Sequence, residues 1–209
     1  MKKLAIIGAS GHGKVIADIA EQVGWNELNF FDDTWPDYDE NYKWKVLGNT
    51  KALFKNITNY DGVFVAIGDN QIRKEKILLL EELSAPIISL IHPGSKVSKY
   101  SSIGTGTVIM PGVVLNADSK ISKGIILNTG CTIDHDCIIG DFTHIGPGVN
   151  LGGGVQVGEN TLIGIGASVK KSINIGKNTI VGAGSVVVND LSDSIIAKGV
   201  PARSKTLKW

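Results

Sequence analysis

The sequence predicts two domains of different class: a small parallel α/β domain in residues 1–85 and a parallel β-helix in residues 97–190. Strand-like and helix-like segments alternate in the first 85 residues, which is typical of a parallel α/β sheet. In the second half an apolar residue recurs at every sixth position without a break, and this hexapeptide repeat is typical of a parallel β-helix. Residues 86–96 are predicted to link the two domains, and residues 191–209 to form a C-terminal tail.

The hexapeptide repeat is the strongest pattern in the chain. Small or β-branched residues follow the apolar positions at a distance of four, which suits a tight inner position. Cys131 and Cys137 fall in this series and are therefore predicted to be core residues. Glycine follows many apolar positions directly, and we expect these turns to need backbone conformations that a Cβ disfavours. The apolar positions are Val97, Ile103, Ile109, Leu115, Ile121, Leu127, Ile133, Ile139, Ile145, Leu151, Val157, Ile163, Val169, Ile175, Val181 and Val187.

The N-terminal domain contains three predicted strands (3–7, 28–31 and 63–67) and three predicted helices (13–23, 51–57 and 71–83), with a loop at 37–42. A glycine-rich turn at 8–13 lies between the first strand and the first helix, where backbone N–H groups can bind an anion. Its spacing matches neither G-x-G-x-x-G nor a P-loop.

Polar residues also end the next two strands, namely Asp32-Asp33 and Gly68-Asp69-Asn70. Because parallel strands end at one edge of a sheet, these segments predict a ligand-binding crevice. The aspartates either accept hydrogen bonds from a base or a ribose or are simply solvated. NAD is less favoured because the domain is short.

Two of the four histidines, His135 and His144, lie within the repeat, where the inner positions are already filled, so both are predicted to point outward. Asp134 and Asp136 flank His135 and favour a more basic imidazole. Acyl transfer to an amine or hydroxyl needs such a base near neutral pH. No Ser–His–Asp order or reactive cysteine suggests an acyl-enzyme. The nine-residue offset between the histidines is half a coil, which favours a site shared by neighbouring chains.

Composition restricts the other classes of function. A net charge of +1 without a basic cluster argues against nucleic acid as a partner. The longest apolar runs are shorter than a membrane span, and the first one is too short for a signal peptide, so a cytoplasmic location is expected. A non-catalytic β-helix scaffold remains an alternative. A zinc carbonic anhydrase would need three histidine ligands, which His135 and His144 do not supply, so no metal site is predicted.

Five segments carry a resemblance to a known family: Gly-Ala-Ser-Gly-His-Gly at 8–13, Phe-Asp-Asp at 31–33, Ile-Gly-Asp-Asn at 67–70, Ile-Asp-His-Asp-Cys at 133–137 and Gly-Val-Pro-Ala-Arg at 199–203. With these the chain resembles the hexapeptide-repeat sugar-nucleotide acetyltransferases that act on UDP-4-amino sugars in the UDP-N-acetylbacillosamine pathway. The resemblance implies a Rossmann-like N-terminal domain joined to a left-handed β-helix, a homotrimer and acetyl-CoA as co-substrate. It also implies N-acetylation of the 4-amino group of a UDP-linked amino-deoxy sugar. A sialic-acid-type O-acetyltransferase and a GDP-amino-sugar N-acetyltransferase are the nearest alternatives.

The resemblance also assigns site residues. His135 would be the general base, and Asp136, where some relatives have Glu, would raise its basicity. The trimer would bury outward apolar residues, namely Val108, Val114, Ile126 and Ile138. The sugar nucleotide would contact Ser10, Gly11, His12, Asp32, Asp33, Gly68 and Asn70, and acetyl-CoA would contact His144, Ile165, Ala183 and Arg203.

Overall fold

The computed structural model describes residues 2–206 and divides the chain into two compact units between His92 and Pro93. This division falls inside the segment 86–96 that the sequence predicts to be a linker. The predicted tail at 191–209 begins within the described residues, but its last three residues lie outside them. In the described part of the chain, no helix is long and apolar enough to cross a membrane.

The N-terminal unit is a parallel sheet flanked by helices. Its strands are ordered β3-β4-β2-β1-β5, and β1 pairs in parallel with both β2 and β5. Its elements are β1 (Lys3–Ile7), α1 (Gly11–Gln22), β2 (Glu27–Phe31), β3 (Glu40–Asn41), β4 (Trp44–Gly48), α2 (Thr50–Lys55), a 3-10 turn (Ile57–Asn59), β5 (Gly62–Val65), α3 (Asn70–Glu82) and β6 (Leu90–Ile91).

The central strand β1 explains why this sheet forms. Leu4, Ala5, Ile6 and Ile7 are at most 1% exposed, so both faces of the strand are covered, as expected for a parallel sheet with helices packed on it. Helix α1 buries its apolar side, and α3 is capped at its N-terminus by Asp69, whose carboxylate accepts from the backbone N–H of Ile72 at 2.9 Å.

The predicted loop at 37–42 is wrong in part, because it contains a strand. Glu40–Asn41 pairs antiparallel with Trp44–Gly48, which itself pairs in parallel with β2 and was not predicted. Glu40–Asn41 is too short and too polar to signal a strand, and in 44–48 the alternation of apolar and polar residues is broken by Leu47, which is 50% exposed.

The second unit is a parallel β-helix with three faces, and its coils repeat every eighteen residues, as in the pairing of Ile133 with Leu151. Face 1 consists of β7, β10, β13, β16, β19 and β22. Face 2 consists of β8, β11, β14, β17 and β20. Face 3 includes β9, β12, β15, β18, β21, β23 and β24. The strands are β7 (Lys96–Val97), β8 (Ser102–Ile103), β9 (Val108–Ile109), β10 (Val114–Leu115), β11 (Lys120–Ile121), β12 (Ile126–Leu127), β13 (Thr132–Ile133), β14 (Ile138–Ile139), β15 (His144–Ile145), β16 (Asn150–Leu151), β17 (Gln156–Val157), β18 (Leu162–Ile163), β19 (Ser168–Val169), β20 (Asn174–Ile175), β21 (Ile180–Val181), β22 (Val186–Val187), β23 (Ile195–Gly199) and β24 (Ala202–Thr206).

The apolar series of the repeat forms the core, and the predicted fold class is confirmed. From Ile109 to Val187 each member is at most 4% exposed, whereas Val97 and Ile103 in the first coil are half-buried. From Thr107 onward the inner small residues are buried too, and hydroxyls in this series bond to carbonyls of the next coil, namely those of Thr107, Ser119, Thr143, Thr161 and Thr179. Ser119 Oγ, for example, donates to the carbonyl of Asp134 at 2.7 Å. These bonds satisfy polar groups that burial would otherwise penalise.

The expected reason for the glycines after the apolar positions is wrong. These residues do not have positive φ angles. Instead, a Cβ at Gly164 would lie 2.7 Å from the backbone nitrogen of Ala183, in the neighbouring coil. The positive φ angles fall two residues later in the repeat, and aspartate at 136 or phenylalanine at 142 adopts them as well as glycine. The space between coils, rather than backbone conformation, explains the glycines.

The outward apolar residues do not all need a partner chain. Val108 and Ile126 are at most 1% exposed within the single chain, contrary to expectation. Val114 is half-buried, and Ile138 is 41% exposed. Only the last two therefore offer apolar surface of the kind that the sequence predicts for a trimer interface.

Candidate active site

The strand ends of the N-terminal unit form a cavity of about 300 Å³. The glycine-rich turn follows β1, Asp32-Asp33 follows β2 and Gly68 follows β5, and β1 lies between the other two strands. Four of the predicted residues, Ser10, Asp32, Asp33 and Gly68, line this cavity. Gly11, His12 and Asn70 are close in sequence but do not line it. The structure therefore brings together part of the predicted site and adds Lys76, which the sequence analysis missed.

Asp32 holds the glycine-rich turn. One carboxylate oxygen accepts from the backbone N–H of Ala9 at 2.7 Å, and the other accepts from Thr34 through its backbone N–H at 3.0 Å and its hydroxyl at 2.7 Å. Burial opposes ionisation of Asp32, but these hydrogen bonds outweigh it and lower its pKa. Asp32 is therefore ionised near neutral pH and positions the turn.

Asp33 is paired with Lys76 on α3. Its carboxylate accepts from Lys76 Nζ at 2.7 Å and from the backbone N–H of Thr50 at 2.9 Å. Burial again opposes ionisation, but the hydrogen bond from Lys76 and those from Thr50 lower the pKa of Asp33 overall. The cavity thus presents an anion and a cation side by side. Lys76 lies on the polar side of a helix, where nothing in the sequence distinguishes it from Lys74.

His12 and Asn70 lie beside a buried arginine. Arg73 is 1% exposed, and its guanidinium donates to the carbonyls of Ile67 and Gly68 and to Asn70 Oδ1, at 3.0, 3.1 and 2.8 Å. Burial, with the nearby Arg73 charge, lowers the pKa of His12 to about 4, so its imidazole is neutral near pH 7. Its Nε2 is buried without a hydrogen-bond partner in the described chain. Asn70 thus helps to hold the Arg73 side chain in place. His12 Nε2 is available for a hydrogen bond to a ligand.

His135 and Asp136 stand together in the β-helix, at the corner between faces 1 and 2. His135 Nδ1 lies 2.6 Å from Asp136 Oδ2, and the two side chains are 62% and 63% exposed. The hydrogen bond that Nδ1–H donates to Asp136, together with the Asp134 charge, raises the pKa of His135. In the neutral imidazole this pairing assigns the proton to Nδ1 and leaves the Nε2 lone pair free to accept a proton.

Asp134 fixes the local backbone at this corner. Its Oδ1 accepts from the backbone N–H of His135 at 2.8 Å and from Asn116 Nδ2 at 3.0 Å, and these bonds lower its pKa. On the other side, Asp136 lines a groove of about 480 Å³ on face 2, together with Tyr100, Asp118, Lys120, Ile138 and neighbouring serines.

The predicted acetyl-CoA residues lie around a different corner, between faces 3 and 1. Ile165 and Ala183 occupy equivalent positions there on successive coils, and the carbonyl of Ile165 accepts from the N–H of Gly184 at 2.8 Å. His144 lies on β15, with its Nε2 3.1 Å from the Asn128 side-chain amide nitrogen. Arg203 is paired with Lys198 in the β23–β24 hairpin at the end of face 3. All four residues thus lie on face 3 or at the corner that follows it.

His135 and His144 are not gathered into one site within a single chain. His135 follows β13 at the corner between faces 1 and 2, whereas His144 is on face 3.

The two cysteines are confirmed as core residues, both fully buried. Burial raises the pKa of Cys131 to about 12 and also raises that of Cys137, so neither thiol supplies a thiolate near neutral pH.

No cluster of three or more metal-binding side chains of the His, Cys, Asp or Glu type occurs within residues 2–206.

Comparison with known proteins places these features in context. A family model described as the PglD N-terminal domain matches residues 3–78. UDP-N-acetylbacillosamine N-acetyltransferase from Bacillus subtilis (strain 168) is 37% identical over 116 residues. That alignment covers 53% of this chain and 52% of the relative, so the match spans about half the length of each protein.

Solved structures match over nearly the whole chain. PerB from Caulobacter crescentus, in complex with CoA and GDP-perosamine, is 39% identical with a TM-score of 0.93 and covers 98% of both chains. The acetyltransferase domain of PglB from Neisseria gonorrhoeae FA1090, in complex with acetyl coenzyme A, is 38% identical with a TM-score of 0.92. It covers 98% of this chain and 99% of that one.

Proposed function

Because this chain belongs to the sugar-nucleotide N-acetyltransferases built from a PglD-type N-terminal domain and a β-helix, we propose that it uses acetyl-CoA to acetylate the 4-amino group of a UDP-linked amino-deoxy sugar. The observation that carries the proposal is the match to PerB, which extends over 98% of both chains. The PerB structure holds both CoA and a nucleotide-linked sugar, GDP-perosamine. The UDP form of the sugar is supported by the 37% identity to the Bacillus subtilis enzyme.

In the proposed reaction, His135 is the general base. Its Nδ1 faces Asp136 at 2.6 Å, so Nε2 takes the proton as the sugar amine attacks the thioester carbonyl. The C–N bond forms, the C–S bond breaks, and the thiolate of CoA leaves. Direct attack is supported by the two buried cysteines, whose raised pKa values make them unsuitable as acyl carriers.

The N-terminal cavity is proposed to hold the nucleotide. Helix α1 begins at Gly11 and has no acidic residue in its first turn. The positive end of its dipole and its free N–H groups therefore favour binding of the pyrophosphate at this terminus. Ser10, Asp32, Asp33 and Gly68 line the cavity, and Lys76 supplies a cation. His12, Gly11 and Asn70 remain proposed contacts, with Asn70 acting through its bond to Arg73.

Acetyl-CoA is proposed to lie along the corner that carries Ile165 and Ala183, near His144 and Arg203. Because His135 and His144 occupy different sides of one β-helix, a homotrimer in which neighbouring chains complete each site fits the geometry. The 41% exposed Ile138 and the 58% exposed Ile165 support such contacts. The cytoplasmic location that the sequence predicts is part of this proposal.

A GDP-linked amino sugar is the second candidate substrate, since PerB was solved with GDP-perosamine. The test is incubation of the purified protein with acetyl-CoA and a panel of UDP- and GDP-linked sugars that carry either a 4-amino or a 4-hydroxyl group. Thiol release gives the rate, and mass spectrometry identifies the product. Acetylation of a UDP-4-amino sugar supports the proposal. Exclusive use of the GDP sugars, or of the hydroxyl acceptors, would overturn it.

A further inference from the structure

Three consecutive glycines follow Leu151, and the structure gives each a different reason for lacking a side chain. Gly154 has a φ of +70°, in the left-handed region. A Cβ at Gly152 would lie 2.8 Å from the backbone nitrogen of Lys171. Gly153 has no positive φ, and the three atoms nearest to its absent Cβ all belong to the imidazole ring of His135. Cε1 and Nε2 would both lie 2.7 Å from that Cβ, and Cδ2 would lie 3.3 Å from it.

The β-helix itself does not require glycine at this position. Ala117, His135, Gly153 and Lys171 stack on successive coils at the same corner. Their register follows from three backbone hydrogen bonds, from Asp136 N–H to Ala117, from Gly154 N–H to His135 and from Ser172 N–H to Gly153, at 3.1, 2.8 and 2.9 Å. Ala117, one coil before His135, and Lys171, one coil after Gly153, both carry a Cβ. The ring above Gly153, rather than the fold, therefore accounts for the missing side chain.

We propose that Gly153 is a positioning residue for His135. Because it lacks a side chain, Gly153 leaves room for the imidazole to rest on the next coil with Nδ1 toward Asp136. Carbon atoms in van der Waals contact lie about 3.5–4.0 Å apart, so a methyl group 2.7 Å from Cε1 and Nε2 forces the ring to move. Any such movement displaces Nε2, lengthens the 2.6 Å contact between Nδ1 and Asp136, or does both. The kinetic part of this proposal rests on the proposed function, whereas its structural part does not.

The kinetic test is Gly153→Ala. Small misplacements of reacting groups cost up to about 100-fold in rate, so we expect kcat to fall by roughly 10- to 100-fold while KM for acetyl-CoA changes by less than about twofold. The acid limb of the pH–rate profile should move to lower pH, because a ring displaced from Asp136 loses the hydrogen bond that raises its pKa. Lys171→Ala, which keeps a Cβ at the same corner, is the matched control and should change neither quantity. An unchanged kcat and acid limb in Gly153→Ala would overturn the proposal.

The structural test needs no substrate. We would measure thermal unfolding of Gly153→Ala, His135→Ala and the double variant, and follow the His135 Cε1–H signal by NMR as pH changes. Alanine at 153 should lower Tm when the ring is present and have little effect when His135 is alanine. The NMR titration of Gly153→Ala should shift to lower pH. An equal loss of Tm in both backgrounds, including failure of both to fold, would assign Gly153 a backbone role and overturn the proposal. If the protein transfers no acetyl group at all, these two measurements still decide the matter.

Discussion

Replacement of Asp32 by alanine tests whether this carboxylate acts on the sugar nucleotide directly or through the glycine-rich turn. In the structure its oxygens accept three hydrogen bonds, from the N–H of Ala9 and from the N–H and hydroxyl of Thr34. Alanine removes all three acceptors. Since Ala9 is only 4% exposed, water cannot easily replace the bond to its N–H, whereas the bonds to Thr34 are in the exposed part of the turn.

The expected size of the effect follows from these contacts. A hydrogen bond contributes about 1 kcal/mol net, so three bonds set an upper figure of about 3 kcal/mol, and solvent replacement of the exposed pair reduces this to about 2 kcal/mol. For a chain of this length about 2 kcal/mol corresponds to a Tm decrease of roughly 4–8 °C. If the full loss of about 2 kcal/mol destabilises only the conformation of the turn that binds the sugar nucleotide, KM for that substrate rises roughly 30-fold.

The assay combines differential scanning fluorimetry, with and without sugar nucleotide, with steady-state kinetics in both substrates. Asp32→Asn is the matched control, because its carbonyl oxygen keeps one acceptor and should give about half the effect. KM for acetyl-CoA should stay within about twofold in both variants. A raised sugar-nucleotide KM without any loss of Tm would show that Asp32 contacts only the ligand. Equal weakening of both substrates would refute the division of binding between the two units.

Three further predictions concern the β-helix. His135→Ala should lose roughly 10²- to 10⁴-fold in kcat with little change in Tm, since the side chain is 62% exposed; turnover near that of the unmodified protein would remove it from the mechanism. Asp136→Asn should give a smaller loss and shift the acid limb of the pH–rate profile to lower pH, because the hydrogen bond that His135 donates to Asp136 is the main cause of the raised pKa of His135; an unshifted limb would contradict this. Reassembly of inactive His135→Ala with inactive His144→Ala should restore part of the activity if neighbouring chains complete each site. Mixed trimers confirmed by native mass spectrometry but without activity would assign both histidines to one chain.

The core of the β-helix was predictable because its signal is redundant. From Ile109 to Val187 each apolar position of the repeat is buried, and no competing pattern exists in that segment. The β3–β4 hairpin was not predictable, because β3 is only two polar residues long and β4, whose alternation is broken by the exposed Leu47, depends on pairing with β2. Local sequence could not supply that long-range contact.

The candidate site was predictable as a set of segments but not as a set of contacts. The sequence places Asp32 and Asp33 at a strand end, yet it cannot reveal that Ala9, Thr34 and Lys76 already occupy their oxygens. Those donors are 2 to 43 residues away along the chain. Likewise the glycines at 152, 153 and 154 look identical in sequence, and only the neighbouring coil distinguishes them.

The eighteen-residue coil makes the site far less tolerant of length changes than the fold. An insertion of six residues between His135 and Gly153 would preserve the alternation of inner and outer positions, and so the buried core. It would also rotate everything after it by one face, so that another residue would lie beneath the imidazole. Even a full inserted coil at that point would separate His135 from Gly153 by one layer. A full coil inserted after Lys171 instead would lengthen the β-helix and leave His135 stacked on Gly153. Insertions that the fold tolerates but the activity does not would therefore identify the places where the chemistry depends on contact between adjacent coils.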